Sequence, residues 1–310
     1  MNLADDVRLL RRRRRQCLIM LIGGQAVIGS SALMVRVGLS AHIDPVTLSA
    51  WRLTLAGLAA LALLPLSPYP ESLRLAPGEW MRLLLAGGAL AAHFALWIAS
   101  LQYISVANST LLVCTTPIWA GLLSWVVGKR PPERSFWFGM VGAAAGAILV
   151  TRSGAVHVSN QPARGATLAL GGALLFALYL LLAAGLQPRL GVARLIAGTY
   201  SSAACWLWIV LLAHHAAPLV PYSESGWAAI IGMAALPQMV GHTSMNWSLK
   251  QLPAHGVAAA TLLEPVFASV LAWLLLGEPL VVFQVLGGVV LLVSIWSTLS
   301  TPLAVVEPDL

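Results

Sequence analysis

The sequence predicts an all-α polytopic membrane protein of ten transmembrane helices, arranged as two inverted five-helix repeats with both termini cytoplasmic. Three observations predict it. Only 9% of the 310 residues are charged and 59% are hydrophobic, against about a quarter charged in an average soluble domain. So few polar side chains cannot cover a water-facing surface of this size. The apolar residues fall into stretches near the ~20 that cross a bilayer. The chain also matches itself when shifted by 148 residues.

In chain order, residues 1–16 form a basic cytoplasmic tail, and the first helical repeat covers 17–152. A linker at 153–164, a second repeat at 165–300 and a short cytoplasmic tail at 301–310 follow. The predicted spans are 17–38, 46–66, 80–101, 106–128, 135–151, 165–186, 193–213, 226–248, 254–276 and 280–300. The first is longer than the apolar core of a cleaved signal peptide and many more follow, so it reads as a permanent helix. Turn-forming residues separate the spans, as at Gly128-Lys-Arg-Pro-Pro132, Gln187-Pro188-Arg189 and Gly277-Glu-Pro279.

The net charge of +7 and pI near 9.9 do not indicate nucleic acid. Five of the eighteen cations form the run Arg11 to Arg15 directly before an apolar segment, where basic residues report membrane orientation. With the N-terminus inside, fourteen cations lie on the inner side and four (Arg36, Arg52, Arg152 and Arg164) do not. Cys17, Cys114 and Cys205 each sit in an apolar stretch with neither metal-ligand spacing nor a disulfide framework. No cofactor or metal is expected.

The 148-residue shift pairs Gly23-Gly24 with Gly171-Gly172, Ser100-Leu101 with Ser248-Leu249 and Pro117 with Pro265. It continues through Trp125 with Trp273, Pro131 with Pro279 and Gly139 with Gly287. Leu and Ala matches are cheap in apolar sequence, so the Pro, Trp and paired-Gly matches carry the argument. Five spans per copy turn the second copy upside down, an architecture common among secondary transporters.

Several short runs resemble the drug/metabolite transporter superfamily in its EamA-like branch. They are Asp44-Pro-Val46 leading to Arg52-Leu-Thr-Leu-Ala56, His93-Phe-Ala-Leu-Trp97 and Thr115-Thr-Pro117. In the second half they are Gly241-His-Thr-Ser-Met-Asn-Trp247, Glu264-Pro-Val266, Leu276-Gly-Glu-Pro279 and Gly287-Gly288. The resemblance runs from about residue 18 to 300. It implies ten spans, an inverted repeat, and secondary transport, often export, of a small metabolite. The first half departs from the family at Gly128-Lys129-Arg130, where Gly-Glu is usual; the Glu stands only in the second copy, at Glu278.

Polar residues inside a span are costly and usually face the bundle interior or a wet cavity. His93 and Trp97 are four apart and share a face of the third span, and His242 and Asn246 repeat that spacing on the eighth. These four, with Gln25, Trp119, Tyr179 and Glu264, are the candidate substrate-binding residues. Each histidine has a plainer alternative, packing with its ring satisfied by a backbone carbonyl. Glu264 is the most expensive residue in the membrane: a carboxylate there binds a proton or a cationic group, pairs with an arginine, or stabilises the kink beside Pro265. Pro117 and Pro265 are candidate hinges, and a static kink is equally compatible. Arg52 lies a turn inside the second span, where a structural pair with Asp44 is preferred over an anionic part of the substrate. Gln238 and Trp51 are weaker candidates. Gly142-x-x-x-Gly146 is a close-packing device and a candidate dimer face.

The sequence contains no metalloprotease, serine-hydrolase or phosphate-binding-loop motif and no pair of intramembrane aspartates. The expected function is therefore secondary transport in the cell inner membrane, with a small-molecule substrate and a coupling proton or exchange substrate. The lipid bilayer is its partner, and it acts as a monomer or weak dimer. An intramembrane enzyme and a passive channel are the alternatives.

Overall fold

The computed structural model describes residues 3–67, 75–128, 131–151, 160–214, 222–276 and 282–300. Arg74, Lys129, Arg130, Arg152, the Gly277-Glu278-Pro279 turn and the 301–310 tail lie outside the described residues.

The described chain is helical throughout. The first half holds α1 (Leu3–Gly29), α2 (Ser31–Ser40), α3 (Pro45–Leu63), α4 (Pro77–Ser100), α5 (Val106–Val113), α6 (Thr116–Gly128) and α7 (Arg134–Thr151). The second holds α8 (Pro162–Ala213), α9 (Glu224–Met233), a π-helical segment (Ala234–His242), α10 (Thr243–Ser248), α11 (Ala254–Ala259), α12 (Glu264–Leu276) and α13 (Val282–Ser300). Local chemistry sets the starts. Asp44 caps α3 by accepting from the Val46 and Thr47 amides at 3.0 Å, with Pro45 in the first turn. Pro77 opens α4, where Glu79 reaches back to the Ala76 amide at 2.8 Å. Ser223 caps α9 through the Gly226 amide.

Among the described residues, six stretches are long and apolar enough to cross a membrane: Arg15–Ser40, Pro45–Leu66, Pro77–Ser100, Asn108–Gly128, Pro162–Ala213 and Ala254–Leu271. The fifth has 52 residues. At about 1.5 Å per residue that is more than twice the ~30 Å of a bilayer core. Its regularity breaks at Gly191 (φ 68°, ψ 168°). The expected break at Gln187-Pro188-Arg189 thus falls a few residues later. Proline holds φ in the helical range and removes only one donor, so the helix passes through Pro188. The positive φ needs glycine.

Large apolar side chains face outward: Phe138 is 77% exposed, Val126 76% and Val282 72%. Each would gain about 1.5–3 kcal/mol from burial in a water-soluble protein. Against lipid their exposure costs nothing, and the chain is a multi-pass membrane protein. Its interior is built largely from Ala, Leu and Gly. The dominant packing joins the halves, α3 and α4 running along α8 and α7 along α13. Gly142 and Gly146 serve that second contact: a Cβ on Gly142 would collide with the Ser294 hydroxyl, and one on Gly146 would lie 2.8 Å from the Gly287 carbonyl oxygen. The candidate dimer-face glycines thus lie at a contact inside the chain, where Gly146 lets the α13 backbone approach.

Candidate functional site

Arg52 lies about two turns inside α3 and is fully buried. Its Nε donates to Gln238 Oε1 at 2.9 Å and its Nη1 to Ser31 Oγ at 3.2 Å. The guanidinium carbon stands 4.0 Å above the centre of the Phe94 ring, a cation–π contact in a dry setting. Nη2 has no partner among the described residues. The expected pair with Asp44 does not form. Eight residues of helix separate the two by about 12 Å along the axis. Asp44 is used by the first-turn amides of α3, and Arg52 turns into the protein toward α2 and the π segment.

The π segment presents Gln238 and His242 to the interior. Pro237 lies within it and has no amide hydrogen for a regular helical bond. Wide turns of this kind are rare and recur at functional sites. His242 meets Phe94 and Phe176 edge-on, with ring centres 5.2 and 5.3 Å apart, and its Nδ1 has no partner among the described residues. Opposite it on α4, His93 Nδ1 donates to the Gly172 carbonyl at 2.9 Å, since a carbonyl only accepts. The His93 ring stacks on Phe176 at 4.5 Å and lies within 4° of parallel to Trp97.

Two broken helices close the site. α5 ends at Val113 and α6 begins at Thr116-Pro117; α11 ends at Ala259, a 3₁₀ turn spans Ala260–Leu263, and α12 begins at Glu264-Pro265. The 148-residue shift pairs Thr116 with Glu264 and Pro117 with Pro265, so the breaks are equivalent. Each proline occupies the first turn of the resumed helix, where its missing amide costs least. Carbonyls at the breaks are taken by neighbouring hydroxyls, Thr116 to Val113 at 2.7 Å and Thr261 to Ala258 at 2.8 Å. The Cys114 thiol donates to the Thr261 carbonyl at 3.4 Å, joining one break to the other.

These elements border a partly open cavity. Arg52, His93, Trp97, His242 and Glu264 line it, with Ser31, Phe94, Thr110, Phe176 and Thr261. Four expected binding residues stand elsewhere. Gln25 is buried with both amide atoms unpartnered among the described residues. The Trp119 indole donates to Thr115 Oγ1 at 3.2 Å. Tyr179 donates to Asn246 Oδ1 at 2.7 Å, and Asn246 Nδ2 donates to the His242 carbonyl at 3.0 Å and to Tyr200 at 3.4 Å, a network of residues that are not in the cavity lining. Phe94 and Phe176 were not singled out from sequence. Phe94 had a usable signal, since the 148-residue shift places it opposite His242.

The sequence model of the EamA-like transporter family matches residues 15–152 and again 163–300. The chain belongs to the EamA-like transporter family. This EamA-like protein is similar to a protein of Archaeoglobus fulgidus described as an uncharacterized transporter, at 22% identity over 86% of this chain and 92% of that one. It is similar to YwfM of Bacillus subtilis, also described as an uncharacterized transporter, at 26% identity over 76% and 78% of the two chains. PA1977 of Pseudomonas aeruginosa shares 29% identity over 91% and 95%. A solved crystal structure superposes with a TM-score of 0.76 at 14% identity, covering 91% of this chain and 98% of that one, which shows a common fold. The EamA-like chain is a membrane transporter, and the cavity is its candidate substrate site.

Proposed function

We propose that this protein is a secondary transporter that exports a small metabolite across the cell inner membrane by alternating access. Its two five-helix repeats are inverted, giving ten crossings with both termini cytoplasmic. One observation carries the reading: the cavity is lined from both repeats, at the place where two equivalent helices break and touch through Cys114 and Thr261. Equivalent breaks in inverted halves give two related shapes, one open to each side of the membrane. Pro117 and Pro265 are the hinges. His93, Trp97 and His242 contact substrate directly, Glu264 shares their cavity, and Tyr179 and Asn246 hold the wall behind it.

Counterflow in proteoliposomes tests this. Purified protein, preloaded in turn with amino acids, sugars, nucleosides, organic acids and cationic drugs, is expected to show saturable uptake stimulated from the trans side. Conductance linear in concentration, or chemical conversion of a compound, would replace the carrier with a channel or an enzyme.

A further inference from the structure

The cavity holds a guanidinium and a carboxyl group that do not meet. Arg52 and Glu264 both line it, yet no ion pair joins them. Arg52 is fully buried and its protein partners are neutral: the Gln238 amide oxygen, the Ser31 hydroxyl and the Phe94 ring. A buried guanidinium stays charged, and a buried charge is normally paired. Here Nη2 is left without a partner among the described residues. The hydroxyl hydrogen of Ser31 remains available to the same space, since Ser31 accepts from Nη1 through its oxygen. His242 Nδ1, also unpartnered, lies on the wall. The rest of the lining is apolar and aromatic: Phe94, Trp97 and Phe176.

Resting on the transporter reading above, we propose that the substrate is a small amphipathic carboxylate. Its carboxylate binds the free Nη2 of Arg52 beside Ser31, and its apolar body lies against Phe94, Phe176 and Trp97. Free donors at this end are few, which suits a monoanion. A phosphate dianion would leave much of its charge unmatched.

Glu264 then has a defined role. It is the acidic group of the same lining, and when ionised it draws on the same guanidinium as a bound carboxylate. One guanidinium cannot match two anions at once. Glu264 is therefore an internal competitor of the substrate, not a subsite for a substrate cation. Gln238 is a positioning residue, holding Nε so that Nη2 remains free.

The test is equilibrium binding to the purified full-length protein in detergent, which needs no alternating access. Failure here therefore leaves the transport reading standing, and failed counterflow leaves binding intact. The probes share one apolar body: 3-phenylpropanoate, 3-phenylpropanamide, phenethylamine and phenethyl phosphate. The carboxylate is expected to bind at least about tenfold more tightly than the amide or the amine. Arg52→Lys weakens its binding several-fold, Arg52→Gln removes the preference for the carboxylate, and Glu264→Gln tightens carboxylate binding several-fold. Thermal unfolding of each variant checks folding, and the Lys and Glu264→Gln variants keep the test decisive if Arg52→Gln does not fold. Equal binding of acid and amide, absence of binding by the acid, tighter binding of the amine or phosphate, or weaker acid binding in Glu264→Gln would each overturn the proposal.

Discussion

Arg52 shows how one side chain organises a site. Its three nitrogens are divided between a positioning amide, a hydroxyl and nothing, and its π-face partner, Phe94, also carries the His242 contact. Gln238→Leu leaves Nε buried without an acceptor, and the expected cost is about 1–3 kcal/mol, read from unfolding in detergent. Asp44 acts separately, as a helix cap. Asp44→Ala is expected to cost about 0.5–2 kcal/mol. Combined with Arg52→Lys, it should add within about 0.5 kcal/mol. A larger coupling energy would mean that the two residues pair after all.

At the scale of elements, irregular backbone sits where the cavity is. The α5–α6 and α11–α12 breaks and the π segment all border it, and their exposed carbonyls are met by Thr, Ser and Cys side chains. Such backbone is tolerated at membrane depth only where protein or a cavity satisfies it. Pro117→Ala and Pro265→Ala allow each helix to run straighter. Both are expected to lower the transport rate several-fold while probe binding in detergent holds, as measured by counterflow alongside equilibrium binding. Gly191 is a different kind of break, a single positive-φ residue inside a long helical stretch. Gly191→Ala is expected to cost about 1–3 kcal/mol in unfolding experiments, because alanine resists its positive φ.

For the whole molecule, the two repeats are not separate bodies. α3 and α4 bury their faces on α8, and α7 closes on α13. Half-chains 1–155 and 156–310, expressed together, are therefore expected to co-purify, while either alone exposes faces meant for its partner. Recovery of stable, monodisperse single halves would show that the contact between repeats is dispensable. Tags at the two ends should be cut by protease from the same side of oriented vesicles if the crossings number ten.

How much of this was legible beforehand follows from the physics of each signal. Sequence alone determined membrane embedding, because the scarcity of charge is a bulk property that no folding arrangement alters. It also determined the repeat and the equivalence of Pro117 with Pro265, since both reside in residue order. His93, Trp97, His242 and Glu264 were legible as candidates because polar or aromatic groups deep in an apolar span have few places to go. Tertiary structure alone decided which polar residues share a wall. A helix face read from spacing does not say which neighbour it meets, so Asn246 and Tyr179, on promising faces, turned out to bond each other. Proximity in sequence likewise suggested Asp44 for Arg52, whereas the acceptor that holds it, Gln238, lies 186 residues away. Such a partner is found only when helices from both repeats have packed.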